Sequence, residues 1–486
     1  MSRTVRVPLT AVAAFTIPFC ILSTLPKAAS PEQSKPSAKA RADDPALALK
    51  RIRAPAGMKV DLFAAEPLLA NPVCFCFDEQ GRLYVAETYR LHAGVTDNRD
   101  HTTWIDDDLA SRTVADRVAM FRKHLGKKFD TYAREQDRVV MLEDTRGAGR
   151  ADKSTVFADG FKDHAVGIGA GLLARGGNVW YACIPDLWLL RDTKGTGRAD
   201  VKKSLQHGYG VHVAFLGHDL HGLKMGPDGR LYFSIGDRGL HVETNGRTVS
   251  CPDTGAVLRC NPDGSELEIV ATGLRNPQEL AFDAYGNLFT GDNNADGGDA
   301  ARWVWIVEGG DSGWRVGYQY LKSPKKLGVW NAEKLWHLPH EGQAAYLVPP
   351  LAHLADGPSG LTYHPGVILI PERYRDHFFL CDFRGGSGAS GIHSFALKPR
   401  EPNKQIAKGY ETVVLTLTSG QIKTGILKAE DGKVVRLMTP EGVLLTIPRD
   451  EIDQRMGGPS AMPDDLIRHL SRAELRDLVE FLASLK

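Results

Sequence analysis

The sequence predicts a mainly β chain: a β-propeller of the six-bladed type with five recognisable blades and a helical insertion, followed by a small β unit and a C-terminal helix. One turn-and-strand phrase recurs along the chain, and the 50 glycines among 486 residues fall mostly in turn-like tetrapeptides between short apolar runs. A net charge of +1, from 60 Lys and Arg against 59 Asp and Glu, excludes the basic footprint of a nucleic-acid binder and leaves a small molecule or a protein as partner.

Residues 1–30 carry Arg3 and Arg6 ahead of an apolar run from Leu9 to Leu25. That is the layout of a secretory signal or an uncleaved N-terminal anchor, so the expected location is the periplasm or a membrane surface. Phe19, where a lipoprotein signal has a small residue, argues against lipidation at Cys20. Residues 31–50 are rich in Pro, Ser, Lys and Ala and read as a flexible linker.

The propeller is assigned to residues 51–398. Its phrase is a glycine turn, one polar residue, then alternating apolar and aromatic residues: DEQGRLYVAE around Gly81, ARGGNVWYAC around Gly177, GPDGRLYFSIGD around Gly229 and DAYGNLFTGD around Gly286. The last three repeat at roughly fifty residues, the length of a four-stranded blade. A fifth, weaker unit is GPSGLTYHPG followed by FFLCDF. The longer first interval holds an insertion from about Asp100 to Gln136, in which Leu109, Val114, Val118, Met120 and Leu125 have helical spacing. Either a degenerate sixth blade closes the ring or the ring is open, with strand edges exposed.

Two loops, LEDTRGAGRAD and LRDTKGTGRAD, space their carboxylates like calcium loops. Arg146 and Lys194 stand where further carboxylates would be needed, so both loops read as glycine turns. Beyond the signal there are six cysteines, and an oxidising compartment permits disulfides, with Cys251 and Cys260 at the spacing closest to a hairpin; buried thiols are the alternative. From about Glu411 the alternation of VVLTLTSGQIKTG, VVRLM and LLTIP predicts a compact barrel-like unit. Ser471 and Glu474 have capping-box spacing ahead of an apolar stripe of Leu475, Leu478, Val479, Leu482 and Leu485.

GLRNPQELAFD, GDNNADGGDAARWVWIVEGGDSGWR and HDLHGLKMGPDGRLYFSIGDRG resemble the signatures of soluble quinoprotein glucose and aldose-sugar dehydrogenases. GMKVDLFAAEPLLANP, CIPDLWLLRDTKGTGRAD and DGPSGLTYHPG resemble more closely the membrane-bound dehydrogenases of Pirellula and Verrucomicrobium type, over about Arg51 to Leu397. Residues 409–486, ending in GPSAMPDDLIRHLSRAELRDLVEFLASL, resemble a remnant of the haem-binding domain that larger members carry. This chain departs from the fuller family pattern: the sixth blade, the helical repeat region and the C-x-x-C-H segment do not follow the fifth blade. Thioether attachment needs that motif, so no covalent haem is expected.

The resemblance implies oxidation of a sugar or alcohol with PQQ and calcium, and a cytochrome as electron acceptor. It makes His218 the catalytic base, with His221 as a neighbouring candidate, since neutral histidine suits proton removal. It assigns Arg275, Asn276, Gln278 and Arg384 to the cofactor, where an arginine fork suits carboxylates. Asp292 and Asp299 are the candidate calcium ligands or orienting acids, and Met462 is a remnant haem axial ligand. The competing reading is a non-catalytic propeller that binds a carbohydrate or protein, or a truncated inactive relative.

Overall fold

The computed structural model describes residues 45–320, 328–336, 347–366, 370–385, 389–397, 412–439 and 441–457. The signal or anchor segment, Met462 and the C-terminal helix lie outside the described residues. The chain divides into two compact units, residues 1–396 and 397–486.

The described residues of the first unit start with helix α1 (Pro45–Arg51), which corrects the reading of a linker as far as residue 50. The run Ala-Leu-Ala-Leu-Lys is made of strong helix formers, which outweigh the linker-like composition ahead of it. Blade 1 follows as an antiparallel meander of β1 (Pro72–Phe77), β2 (Leu83–Glu87), β3 (Asp137–Glu143) and β4 (Lys153–Phe161). Blade 2 repeats it with β5 (Gly169–Arg175), β6 (Asn178–Cys183), β7 (Asp186–Arg191) and β8 (Val201–His207). Blade 3 starts with β9 (Leu220–Met225) and β10 (Leu231–Ile235), extends into a ribbon of β11 (Leu240–Thr244) and β12 (Arg247–Cys251), and ends with β13 (Gly255–Cys260) and β14 (Glu268–Leu274). Blade 4 is β15 (Pro277–Phe282), β16 (Leu288–Asp292), β17 (Arg302–Trp305) and β18 (Ala352–His353), with helix α4 (Gly328–Ala332) in its long connection. Blade 5 has three strands, β19 (Pro358–His364), β20 (His377–Asp382) and β21 (Gly391–Ala396).

The recurrent phrase is the first hairpin of each blade. Gly81, Gly177, Gly229 and Gly286 turn it with φ of 78°, 76°, 77° and 81°, a region closed to most side chains. Alternating residues beyond the turn face opposite sides of the blade and join separate apolar clusters. Tyr84 and Val139 meet Leu172 and Val179 between blades 1 and 2. Trp180 and Leu187 meet Leu231 and Phe233 between blades 2 and 3. Val257 and Val270 meet Leu280 and Val304, and Phe289 and Trp303 meet Leu361 and Phe378, at the next two interfaces. No such cluster joins blade 5 to blade 1 among the described residues. The outer face of blade 1 is instead covered by its own leading segment, through Phe63, Ala64, Leu68 and Leu69, and Arg373 Nη2 beside blade 5 donates to Ala56 O at 2.7 Å.

The insertion between β2 and β3 forms α2 (Ile105–Ala110) and α3 (Val114–Leu125), the latter opened by a capping box of Thr113 and Asp116. Trp104, Met120, Phe121 and Phe129 pack on Val213, in the loop between blades 2 and 3. His212, fully buried in that loop, holds Asp108 O at 2.7 Å through Nδ1 and lies 3.7 Å from Asp253 through Nε2. Burial opposes its protonation, but Asp108 and Asp253 outweigh burial and push its pKa up to about 9.

The two calcium-like loops are turns. Asp144 accepts the backbone N–H groups of Arg146, Ala148 and Gly149, and Asp192 accepts those of Lys194, Thr196 and Gly197. The six cysteines described are free thiols; Cys251 and Cys260, the pair at hairpin spacing, stand in different sheets.

The described residues of the second unit form one five-stranded antiparallel sheet, β22 (Thr412–Leu417), β23 (Ile422–Glu430), β24 (Val434–Met438), β25 (Leu444–Pro448) and β26 (Ile452–Gly457), in the order β25-β24-β23-β22-β26. Its core is Val413, Leu415, Leu417, Val435, Leu437 and Ile447.

Because His212 goes from an ordinary 6.5 to about 9 on folding, its stabilisation is complete below pH 6.5 and is lost as pH rises through 9. The size is on the order of 3 kcal/mol. Urea unfolding across that window should show the loss in the parent and a flatter profile in His212→Gln; equal slopes would refute the assignment.

Candidate active site

At one end of the propeller the loops entering the innermost strands lie beside the ends of the second strands. Four of the five blade ends, those of blades 1, 3, 4 and 5, carry a buried carboxylate that needs donors, and blade 2 has Cys183 at that position. In blade 1, Glu87 Oε1 accepts from Ala70 N at 2.7 Å. In blade 4, Asp292 accepts from Arg275 N at 3.0 Å and Asn276 N at 2.8 Å. In blade 5, Asp382 accepts from Asp356 N at 2.8 Å and Gly357 N at 3.1 Å. These acids strap each entering loop to its own hairpin.

Blade 3 departs from this. Its acid, Asp237, stands two positions further past the turn glycine than Glu87 and Asp292 do, beyond the end of β10. Among the described residues it takes side-chain donors without a backbone amide: His218 Nδ1 lies 2.6 Å from Oδ1, and Trp314 Nε1 donates to Oδ2 at 2.8 Å. Both His218 and Asp237 are buried. Burial lowers the pKa of His218, Asp237 offsets part of that effect, and Arg275 and Arg238 add to the lowering, so the net shift is down from 6.5. Burial also works against the charge of Asp237, but His218, Arg275 and the Trp314 N–H outweigh it and its pKa falls below 3.8. The pair at neutral pH is therefore a neutral imidazole donating from Nδ1 to a carboxylate. That arrangement leaves Nε2 with its lone pair, as proton removal requires.

Arg275 joins this group. Its backbone O accepts from Asp237 N at 2.8 Å. Its guanidinium lies over Phe215 at 4.8 Å and Trp314 at 5.6 Å, donates from Nε to Gln319 at 3.0 Å and from Nη1 to Asn294 O, and approaches Asp296 at 3.5 Å. Among the described residues the buried Asn276 Oδ1 has no hydrogen-bond partner, and Arg275 Nη2 has Asp296 at 3.5 Å and no shorter partner. Gln278 Nε2 donates to Gly217 O at 3.3 Å, so it braces the His218 loop.

The other assigned residues have partners of their own. His221 Nε2 is spent on Gly217 O at 2.8 Å, and burial takes its pKa down to about 4, which makes it a loop brace and not a second base. Asp292 is occupied by the two amides and by a buried ion pair with Arg302. Asp299 is occupied by Ala295 N at 2.9 Å and Trp330 Nε1 at 3.1 Å. Neither is arranged as a calcium ligand, and no group of three or more His, Cys, Asp or Glu placed to hold a metal ion occurs among the described residues. Arg384 belongs to blade 5, where its Nε donates to Asp382 at 2.6 Å; no contact among the described residues joins it to His218 or Arg275. Asp237 and Trp314 lie inside the family-like motifs, where the sequence gives them no role. The displaced Gly-Asp at the end of GPDGRLYFSIGD was the available signal for Asp237.

Residues 44–308 match the model of a family described as a domain of unknown function, DUF7133. The chain belongs to that family. No curated protein matches it. Among solved structures, a candidate oxidoreductase (glucose dehydrogenase) of Thermus thermophilus is similar at 16% identity and a TM-score of 0.40, over 77% of this chain and 90% of that one. The PQQ-bound aldose sugar dehydrogenase of Streptomyces coelicolor is similar at 16% identity and a TM-score of 0.35, over 78% and 93%. The PQQ domain of pyranose dehydrogenase from Coprinopsis cinerea is similar at 12% and 0.36, over 79% and 83%. What this DUF7133 site can do follows from its own side chains.

Asp292→Asn should cost about 3–5 kcal/mol, because it strands the buried Arg302 guanidinium. The double variant with Arg302→Met should recover part of that loss in urea unfolding. A silent single variant would contradict the structural role.

Proposed function

We propose that the His218 end of the propeller is the active site of an oxidoreductase that oxidises a sugar or alcohol. The observation carrying this reading is the buried His218–Asp237 pair, whose Nε2 has no protein hydrogen bond among the described residues. Oxidising an alcohol to a carbonyl removes a hydride from carbon and a proton from oxygen. His218 Nε2 takes the proton, and Asp237 stabilises the imidazolium that forms. A bound quinone such as PQQ would supply the hydride acceptor. The residues present fit such a group: the buried Arg275 guanidinium lies over Phe215 and Trp314 with its Nη2 facing only Asp296 at 3.5 Å, and the neighbouring Asn276 Oδ1 is a buried acceptor with no hydrogen bond among the described residues. Calcium, if it takes part, needs ligands other than Asp292 and Asp299.

The Arg-flanked apolar N-terminus supports an extracytoplasmic setting, and a cytochrome as electron acceptor rests on the resemblance to the membrane-bound dehydrogenases. The tail would then be a haem-domain remnant of the membrane-bound family type.

Reconstitution with PQQ and calcium, read as quinone retention and dye reduction against a sugar and alcohol panel, tests the proposal. His218→Ala should lower turnover by roughly two to four orders of magnitude with quinone retained, whereas Arg275→Ala should chiefly weaken quinone binding. Parental activity in both variants would remove these residues from the site. A parent that binds no quinone at saturation would leave the fold as a binding module.

A further inference from the structure

The loop 293–299 lies against Arg275, whose Nη1 donates to Asn294 O, and it presents a carboxylate that its own structure does not use. Asp299 fixes the turn by accepting from Ala295 N at 2.9 Å and Gly297 N at 3.4 Å, and Asn331 Nδ2 donates to Gly297 O at 2.8 Å. Between these anchors Asp296 has a φ of 57°, in the left-handed region that Asp and Asn tolerate better than most side chains. The turn is therefore held without the Asp296 carboxylate. That carboxylate makes no hydrogen bond among the described residues, and it faces Arg275 Nη2 at 3.5 Å.

The two members of this pair are unlike. The Arg275 side chain is 2% exposed and that of Asp296 55%. The guanidinium cannot leave: it lies over Phe215 and Trp314, with Gln319 and Asn294 O on its other donors, and a buried cation needs a negative partner. The carboxylate can turn back into water, and an ion pair half in solvent and longer than a hydrogen bond is held weakly. A second arginine shows the contrast. Arg99, from the insertion, also lies over Phe215, 4.2 Å from the ring centre, but it is committed to Asp97 by bonds of 2.8 and 2.6 Å. Those bonds raise the pKa of Arg99 against burial, and Asp296 adds a smaller pull. Of the two arginines on this ring, Arg275 is the one whose carboxylate partner is loose.

We propose that Asp296 is a displaceable counter-ion of Arg275: a carboxylate of the ligand exchanges for it, so Asp296 sets how tightly this end of the propeller binds an anion and leaves neutral ligands unaffected. The assignment rests on the ligand-binding role proposed for Arg275 and adds an internal competitor to it.

Calorimetric titration of the full chain with two polycarboxylates, PQQ and citrate, at low and high salt tests the proposal without turnover. Asp296→Asn keeps a residue suited to the left-handed turn and removes the charge. At low salt it should bind at least one of the anions about five- to tenfold more tightly than the parent. The gain should shrink at high salt, where an exposed charge is screened, and should vanish in an Arg275→Ala background. Asp296→Gly, which also suits that backbone, should show the same gain and serves if the asparagine variant does not fold. Equal or weaker anion binding in a folded variant overturns the proposal, as does a gain indifferent to salt or to Arg275→Ala, or a parent and variant that both take up neither anion. Citrate separates the two readings: citrate binding tightened by Asp296→Asn in a chain that takes up no PQQ would sink the quinone chemistry and leave this assignment standing.

Discussion

The end of the propeller that carries the candidate site depends on one constraint: a buried carboxylate must be given donors. Blades 1, 4 and 5 meet it with amides of the entering loop beside the side chains of Arg138, Arg302, Arg384 and His393, so Glu87, Asp292 and Asp382 each close a hairpin against the loop that leads into its own innermost strand. Blade 3 meets the same demand at Asp237 with an imidazole and an indole. The displacement of one acid by two residues thus turns a structural strap into a device that orients a base. Arg275 depends on both versions, since its N–H is held by Asp292 while its carbonyl accepts from Asp237 N.

The insertion makes this end a joint product of separate blades. His212 ties α2 to the loop between blades 2 and 3, and Val213 of the same loop completes the apolar cluster of α3. Arg117, on α3, reaches into the propeller and donates to Gly210 O at 2.7 Å and Ala165 O at 2.8 Å. Burial, with Arg238 nearby, lowers its pKa to about 9, so its charge is sustained by carbonyls and by Asp219 and Asp108. A helical excursion held this firmly fixes the loop between blades 2 and 3 and, with it, the imidazole of His218.

Much of the fold was legible because its signals are local. A left-handed glycine followed by alternating residues marks each hairpin, and Gly81, Gly177, Gly229 and Gly286 all turn one. The site residues His218 and Arg275 were legible through their motifs. The rest was set by contacts between segments distant in sequence. Nothing near Asp292 announces that Arg302 will occupy it, and nothing in HDLHG tells which histidine spends its nitrogen on Gly217 O. Strand β26, IDQRMG, has no apolar alternation and exists because β22 offers it an edge.

The central claim is that His218 is a neutral base held in one tautomer by Asp237. Nitrogen-detected NMR of the histidine side chains in the parent and in Asp237→Asn tests it most directly. The account predicts a ring protonated on Nδ1 that titrates below 6.5 in the parent, and a still lower value with loss of the single tautomer in the variant, because the carboxylate that favours the cation is gone. A ring that titrates at or above 6.5, or one indifferent to the Asp237 substitution, would contradict it.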